Sequence, residues 1–386
     1  MKRVITAFLA VTLAGVAPAL AEPQGVTDDK IVVGSHSDLS GPLAIWGVPA
    51  TNGVRMRLEE ANAAGGVHDR QIEFIVEDTA YQVPLAVRAT NKLVQRDKIF
   101  AMINGTGTAQ TLASMQILDK AGIPNVFPLS AAKVMFDPLS PLHFSYFVSY
   151  QDQAVGAMKY FNSQGMTKVC LQSVATEYGQ EVTEGAEQGA EELGMEIVFH
   201  GTHKTTETEF AGVATSIKNS DCEFLLLGTT VKDTITLYAT LRQLGWDKPV
   251  VGNMVPYTPL AAEASDGVTE GLYLVTPVMI ADFDDGDQWR ADFNERYREK
   301  FGEAPAVQAQ MGYNAADLLV MALEAAGRDL TVEKLSAAIE DIKGYKDPFG
   351  GPDASFSAEK HFGGDSLVLV QSENKKWELR ETDLPY

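Results

Sequence analysis

Residues 31–47 read IVVGSHSDLSGPLAIWG. The apolar run Ile31–Ser35 breaks into small hydroxyl residues, a Gly-Pro pair and Trp46 just before a helical pattern begins. A run with no polar alternation has no face to show to water, so it predicts a strand covered on both sides, as in a parallel sheet. The unit recurs down the chain. In the first half, β-rich runs are expected at Ile72–Val76, Ile99–Ile103, Asn125–Pro128 and Phe144–Phe147. Helical patterns lie between most of them. In NGVRMRLEEANAAGG, Val54, Leu58 and Ala61 share one face, and Gly65-Gly66 stops the helix. LAVRATNKLVQRD does the same with Ala86, Thr90, Leu93 and Val94, and Thr108–Lys120 does so with Leu112, Met115 and Leu118.

The second half repeats the plan. Strands are expected in KVCLQS, MEIVFH, EFLLLG, PVVG and GLYLVT, with helices in EVTEGAEQGAEELG, EFAGVATSIKNS and VKDTITLYATLRQLG between them. This alternation predicts two α/β units of similar plan, each a doubly wound three-layer lobe. After Thr276 come further helices, including a stripe of Trp289, Phe293, Tyr297 and Phe301 whose four-residue spacing reads as core packing. SLVLVQ and KWELRE then close the chain as a hairpin. A helical block that returns to the first lobe and a hairpin that joins the second would make three crossovers, hence a hinge with a cleft.

Composition bounds the function. Lys2 and Arg3, the apolar run VITAFLAVTLAGVA and Ala19-Leu20-Ala21 predict an export signal cleaved after Ala21. The apolar run is short of the roughly 20 residues that span a bilayer. The mature chain is therefore expected in the periplasm, without membrane insertion. The formal charge of −21 would become −23 on losing Lys2 and Arg3, which repels nucleic acid and anionic lipid. Cys170 and Cys222 are the only cysteines, and both lie in or beside strand-like runs. Export permits a disulfide; two buried thiols acting as small hydrophobes are the favoured expectation.

Open parallel sheets bind ligands at the carboxyl ends of their strands. The segments found there are SHSDLSGPLAIWG, NGTGTAQ and PLSAAK in the first unit, and SVATEYGQ, GTTVKD and GNMVPYTP in the second. None carries G-x-x-x-x-G-K-[ST], G-x-G-x-x-G or G-x-S-x-G. A Ser/His/Asp triad has no supporting spacing among six scattered histidines, so a hydrolytic enzyme is the weakest reading. His200 and His203 have no further metal ligands nearby, and no metal or cofactor is expected. The loops can hold an anion, because first-turn amides of a helix are unpaired and its dipole favours negative charge. Thr106, Thr108 and Ser130 add hydroxyl donors.

IVVGSHSDLSGPLAIWG, ATNGVRMRLEEANAAGGVHDRQIEFIVEDTAYQV and AGIPNVFPLSAA together resemble the branched-chain amino acid (leucine/isoleucine/valine) type of periplasmic solute-binding protein. The resemblance spans essentially the whole chain after the signal. It implies a type I periplasmic-binding fold, with residues 26–147 and 277–352 in one lobe and 148–276 and 353–386 in the other. Bending is then expected near Val148, Thr276 and the loop FGGPDASF. It also implies docking on the permease subunits of an inner-membrane ABC importer. An exported sensor of the same fold that feeds a signalling partner is the rival from another class.

By position, the resemblance assigns ligand contacts to Trp46, to Thr106, Gly107, Thr108 and Ala109, to Ser130, Ala131 and Ala132, and to Tyr178, Thr230 and Gln308. Amino-acid binders of this type carry an acid after the strand corresponding to PVVG, whereas this chain has Met254, followed by Tyr257. An unpaired buried ammonium costs several kcal/mol. The expected ligand is therefore an organic acid, aromatic or short and aliphatic, lacking an α-amino group. Met254 and Tyr257 would pack its tail. Asp233 or Glu177 could restore the missing acid, which keeps a branched-chain or apolar amino acid as the alternative.

Overall fold

The structure is a computed structural model that describes residues 23–264 and 267–386. The expected export signal lies outside the described residues. Five strands form the first sheet in the order β2-β1-β3-β4-β5, all parallel: β1 (Lys30–Ser37), β2 (Gln71–Asp78), β3 (Ala101–Ile103), β4 (Asn125–Val126) and β5 (His143–Phe144). From Ile31 onward β1 is buried at every position, because helices cover both faces of the sheet. Those helices include α1 (Ala44–Ala63), α2 (Val83–Gln95) and α3 (Thr108–Ala121).

The second sheet has seven strands in the order β12-β11-β10-β9-β8-β6-β7. β6 (Lys168–Val174), β7 (Glu196–His203), β8 (Phe224–Gly228), β9 (Val250–Gly252) and β10 (Tyr273–Thr276) run parallel. The final hairpin, β11 (Leu367–Glu373) and β12 (Lys376–Leu384), adds two antiparallel strands at the β10 edge. The helices of this unit are α4 (Tyr150–Ser163), α5 (Glu177–Leu193), α6 (Ala211–Asn219), α7 (Val231–Gln243) and the short α8 (Pro259–Ala262).

Between β10 and β11 the chain forms α9 (Gln288–Phe301), α10 (Val307–Ala326) and α11 (Val332–Glu340). These return to the first sheet. α10 crosses α1 at a glycine pair: a Cβ on Gly53 would stand 1.9 Å from the Ala309 carbonyl oxygen, and one on Gly312 would stand 2.0 Å from that of Ala50. Arg57 Nε to Asp317 Oδ1 at 2.6 Å and Tyr313 hydroxyl to Glu60 Oε2 at 2.6 Å fasten the same contact. Phe293 and Tyr297 are fully buried with Met56, Tyr313 and Phe349, so the aromatic stripe is core, with Trp289 stacked at its exposed end. The chain thus passes between the two sheets three times.

Cys170 and Cys222 form a disulfide, with Cα atoms 5.4 Å apart, which corrects the expectation of free thiols. The reason lies in register: Cys170 sits on β6 beside Leu225 of β8, and Cys222 lies just before β8 on the neighbouring strand's path. Among the described residues no helix is long and apolar enough to cross a membrane.

Candidate functional site

The loop that follows β1 is not an anion cradle. Asp38 accepts the amides of Gly41 (2.6 Å) and Leu43 (2.7 Å), and Asp78 at the end of β2 takes Leu39 N–H (3.0 Å) and the Ser40 hydroxyl (2.5 Å). Those donors are spent on holding the loop. Ser37 donates to Gly47 O at 3.2 Å and lies 3.0 Å from Thr106 Oγ1, which ties this loop to the next.

The start of α3 is different. Gly107 is its N-cap at φ +94°, a conformation that disfavours a side chain. A Cβ there would stand 2.3 Å from Gln110 Oε1 and 2.8 Å from the Tyr81 ring. The Thr108 and Ser130 hydroxyls are 2.9 Å apart, joining the loops after β3 and β4. First-turn amides of a helix lack in-helix partners, so this end offers donors and a positive dipole. Thr108, Ala109 and Gln110 all face the space between the two sheets.

The opposite wall comes from the second unit. Thr176 caps α5, accepting from Gly179 N–H at 3.4 Å, and sets Glu177 and Tyr178 at the cleft. The Tyr178 hydroxyl donates to Asn253 Oδ1 (2.9 Å) and lies 3.4 Å from Thr229 O. Its ring meets Tyr150 of α4 edge-on at 4.9 Å, and the Tyr150 backbone amide donates to Ala131 O at 2.8 Å, which ties this wall to the loop after β4. Burial pushes both phenols above their ordinary range. At the start of α7, Thr230 donates to Asp233 Oδ2 at 2.7 Å, and the same oxygen lies 3.2 Å from His203 Nε2. Gln172 Nε2 is 2.9 Å from His203 Nδ1. The histidine is thus committed to a carboxylate and an amide, and no cluster among the described residues could hold a metal.

Between these walls lies a cavity of about 1270 Å³. Of the residues expected to touch a ligand, Thr108, Ala109, Tyr178 and Thr230 line it. Trp46, Thr106, Ser130, Ala131, Ala132 and Gln308 are buried behind the wall, and Gly107 lies beneath Tyr81 and Gln110. Trp46 Nε1 and both amide atoms of Gln308 are buried with no partner among the described residues. Met254 and Tyr257 are placed in the core rather than on the cavity wall. Met254 N–H donates to Gln153 Oε1 at 3.0 Å, and the Tyr257 hydroxyl accepts from Ile280 N–H at 3.1 Å. Both contacts belong to the segment after β9, which packs against α4 through Gln153 and against the stretch after β10 through Ile280.

Sequence reading missed Tyr81 and Tyr150. Tyr81 stands on the first-unit wall, its phenol pushed up to about 12 by burial and then by the Asp38 and Glu177 carboxylates on either side. It follows Ala80 in a left-handed stretch, at φ +44° and +57°, which no local sequence signal marks. Tyr150 opens α4 at the first crossover. Its place after SYFVS gives the one hint, an aromatic at the start of a helix beside the cleft.

A two-unit α/β clamp with a cavity at the carboxyl ends of both sheets is the architecture of a binding protein that closes on its ligand. The family model described as periplasmic binding protein matches residues 30–376, and the chain belongs to that family. The Leu/Ile/Val-binding protein homolog 7 of Brucella melitensis is 24% identical, over 90% of this chain and 89% of its own. Among solved structures, the fatty acid ABC transporter substrate-binding protein from Thermomonospora curvata aligns at TM-score 0.81 with 21% identity, covering 95% of this chain and 94% of that one. A solute-binding protein of an ABC transporter from R. palustris, in complex with benzoate, aligns at TM-score 0.79 with 19% identity over 92% and 97%.

Proposed function

We propose that this chain is an exported periplasmic substrate-binding protein that captures a small carboxylate-bearing solute between its lobes and delivers it to an inner-membrane ABC importer. The observation that carries this reading is the facing of α3's first turn, with Thr108 and Ala109, against Tyr178 and Thr230 across one cavity. A carboxylate at the α3 amides gains the dipole and hydroxyl donors; an apolar remainder gains the aromatic and aliphatic walls, at about 25 cal/mol per Å² buried. The extra contacts made on closure select the closed form, which a transporter can distinguish from the open one.

The ligand class proposed is an organic acid without an α-amino group. Of the carboxylates on the cavity wall, Asp233 already accepts from Thr230 and pairs with His203, while Glu177, Glu207 and Glu263 are exposed to solvent. None is a buried, uncommitted partner for an ammonium. The relatives' names cover branched-chain amino acids, fatty acids and benzoate, so the acid is common to all and the amine is not. A thermal-shift screen of leucine, its deaminated analogue 4-methylpentanoate, benzoate and octanoate tests this. Stabilisation by the free acids and not by leucine is expected; stabilisation by leucine alone refutes the ligand class.

A further inference from the structure

Asp233, on the first turn of α7, is 5% exposed and lines the cavity from the second unit. Its two oxygens are treated differently. Oδ2 takes the Thr230 hydroxyl at 2.7 Å and lies 3.2 Å from His203 Nε2. His203 Nδ1 receives the Gln172 amide at 2.9 Å, so the ring hydrogen sits on Nε2 and points at the carboxylate. Two donors thus fix the side chain through one oxygen. Oδ1 has no hydrogen-bond partner among the described residues. Nor is it sealed in the core, where the unmatched polar atoms without accessible surface include Gln172 Oε1 and Asn253 Nδ2 but not this oxygen. A carboxylate oxygen on a nine-tenths buried side chain, still open and at a cavity wall, is an acceptor held ready for a donor from the cavity.

We infer that Asp233, held by His203 and Thr230, is a specificity-determining acceptor that takes a hydrogen bond from a hydroxyl at the far end of the ligand, making apolar acids with a hydroxyl remote from the carboxylate the preferred class. The inference rests on the proposed capture of an acid at the α3 terminus. The hydroxyl and the acid must be far apart, because Thr108 and Ala109 stand on the first-unit wall and Asp233 on the second. Val231 and Leu260 on one wall and Leu43 and Ile45 on the other are apolar, which suits an apolar body between the two polar ends. The donor is neutral, because the carboxylate already faces the His203 N–H and a second cation would meet Lys232 on the same wall. Since each end of such a ligand binds a different unit, both bonds form together only when the walls approach, which ties recognition of the hydroxyl to closure.

Calorimetric titration of the whole chain with paired acids decides the matter. The pairs are 3-phenylpropanoate with 3-(4-hydroxyphenyl)propanoate, and octanoate with 8-hydroxyoctanoate. The hydroxy member of at least one pair should bind about tenfold more tightly or better. In Asp233→Ala, folded as judged by its circular dichroism, that ratio should fall toward one. The comparison within the unaltered protein needs no variant, so it stands even if Asp233→Ala does not fold. Equal binding within both pairs overturns the inference and leaves the proposed function intact, as does an undiminished ratio in folded Asp233→Ala. Tighter binding of 8-aminooctanoate than of 8-hydroxyoctanoate overturns the hydroxyl class. Binding of no acid at all overturns both the inference and the proposed function.

Discussion

The backbone amide of Lys133, in the short 3-10 turn Lys133–Met135 of the first unit, donates to Glu181 Oε2 on α5 of the second at 2.9 Å. This bond crosses the cleft beside the Ser130–Ala132 loop, so it reports on how the two walls are held. Burial pushes the Glu181 carboxyl above its ordinary value of 4.5, against the pull of the Lys133 amide. A raised carboxyl binds its proton more tightly in the native state, so its ionisation costs stability as pH rises from 4.5 toward the native value, and the cost then stays constant. Glu181→Gln keeps an acceptor oxygen without the charge. It should raise Tm at pH 7–8 and lose that advantage below about pH 4, read by scanning calorimetry across the range.

His36 on β1 gives the opposite slope. It is fully buried, neither ring nitrogen has a partner among the described residues, and desolvation pushes it down to about 4 from 6.5. The unfolded chain therefore binds a proton that the native one refuses between these values, and stability should fall as pH drops from 6.5 to 4. His36→Leu should flatten that stretch of the Tm-against-pH curve. An unchanged slope would show that acid sensitivity comes from other groups.

Reduction of the Cys170–Cys222 bridge opens a loop with a sequence separation of 52. By loop entropy alone its loss should cost about 4 kcal/mol, and native strain would lessen this. Urea unfolding of Cys170→Ser/Cys222→Ser beside the oxidised protein measures the difference. The two proteins should bind the same acid with similar affinity, because the bridge joins the β6 and β8 ends far from the cavity.

Gly53→Ala places a methyl group 1.9 Å from the Ala309 carbonyl oxygen unless the helices part. Overpacking of this kind costs about 1–3 kcal/mol. The substitution should lower Tm by several degrees, whereas Gly65→Ala, where nothing lies within 4 Å, should act through its backbone at φ +113° alone. A folded Gly53→Ala variant of undiminished Tm would show that α1 and α10 can separate freely.

Much of this molecule was legible in its sequence, and the boundary between what was and was not is physical. Ile31–Ser35 and EFLLLG announce covered strands because their apolar content leaves no exposed face, and the Val54–Leu58–Ala61 stripe announces its helix. Those are local properties. The Cys170–Cys222 pairing depends on which strands lie side by side, and β6 is placed next to β8 by a crossover that no local pattern encodes. Of the residues at the strand ends that the sequence offered, Thr108, Ala109, Tyr178 and Thr230 line the cavity. Met254 and Tyr257 share the sequence signature of wall residues, aromatic and sulfur side chains after a strand, yet turn inward to bond Gln153 and accept from Ile280. Tyr81 was invisible because a left-handed residue other than glycine or asparagine breaks the usual rule without warning.

The fit of Gly53 and Gly312 has an outcome for how the protein is made. α1 is synthesised early and α10 some 250 residues later, and the second sheet gains β11 and β12 only from the last stretch of chain. Neither unit can complete its interior from a contiguous piece, so excising one as a stand-alone fragment should yield an insoluble product. Contacts of such high sequence separation also slow assembly, and a ribosome must finish nearly its whole task before either half can set.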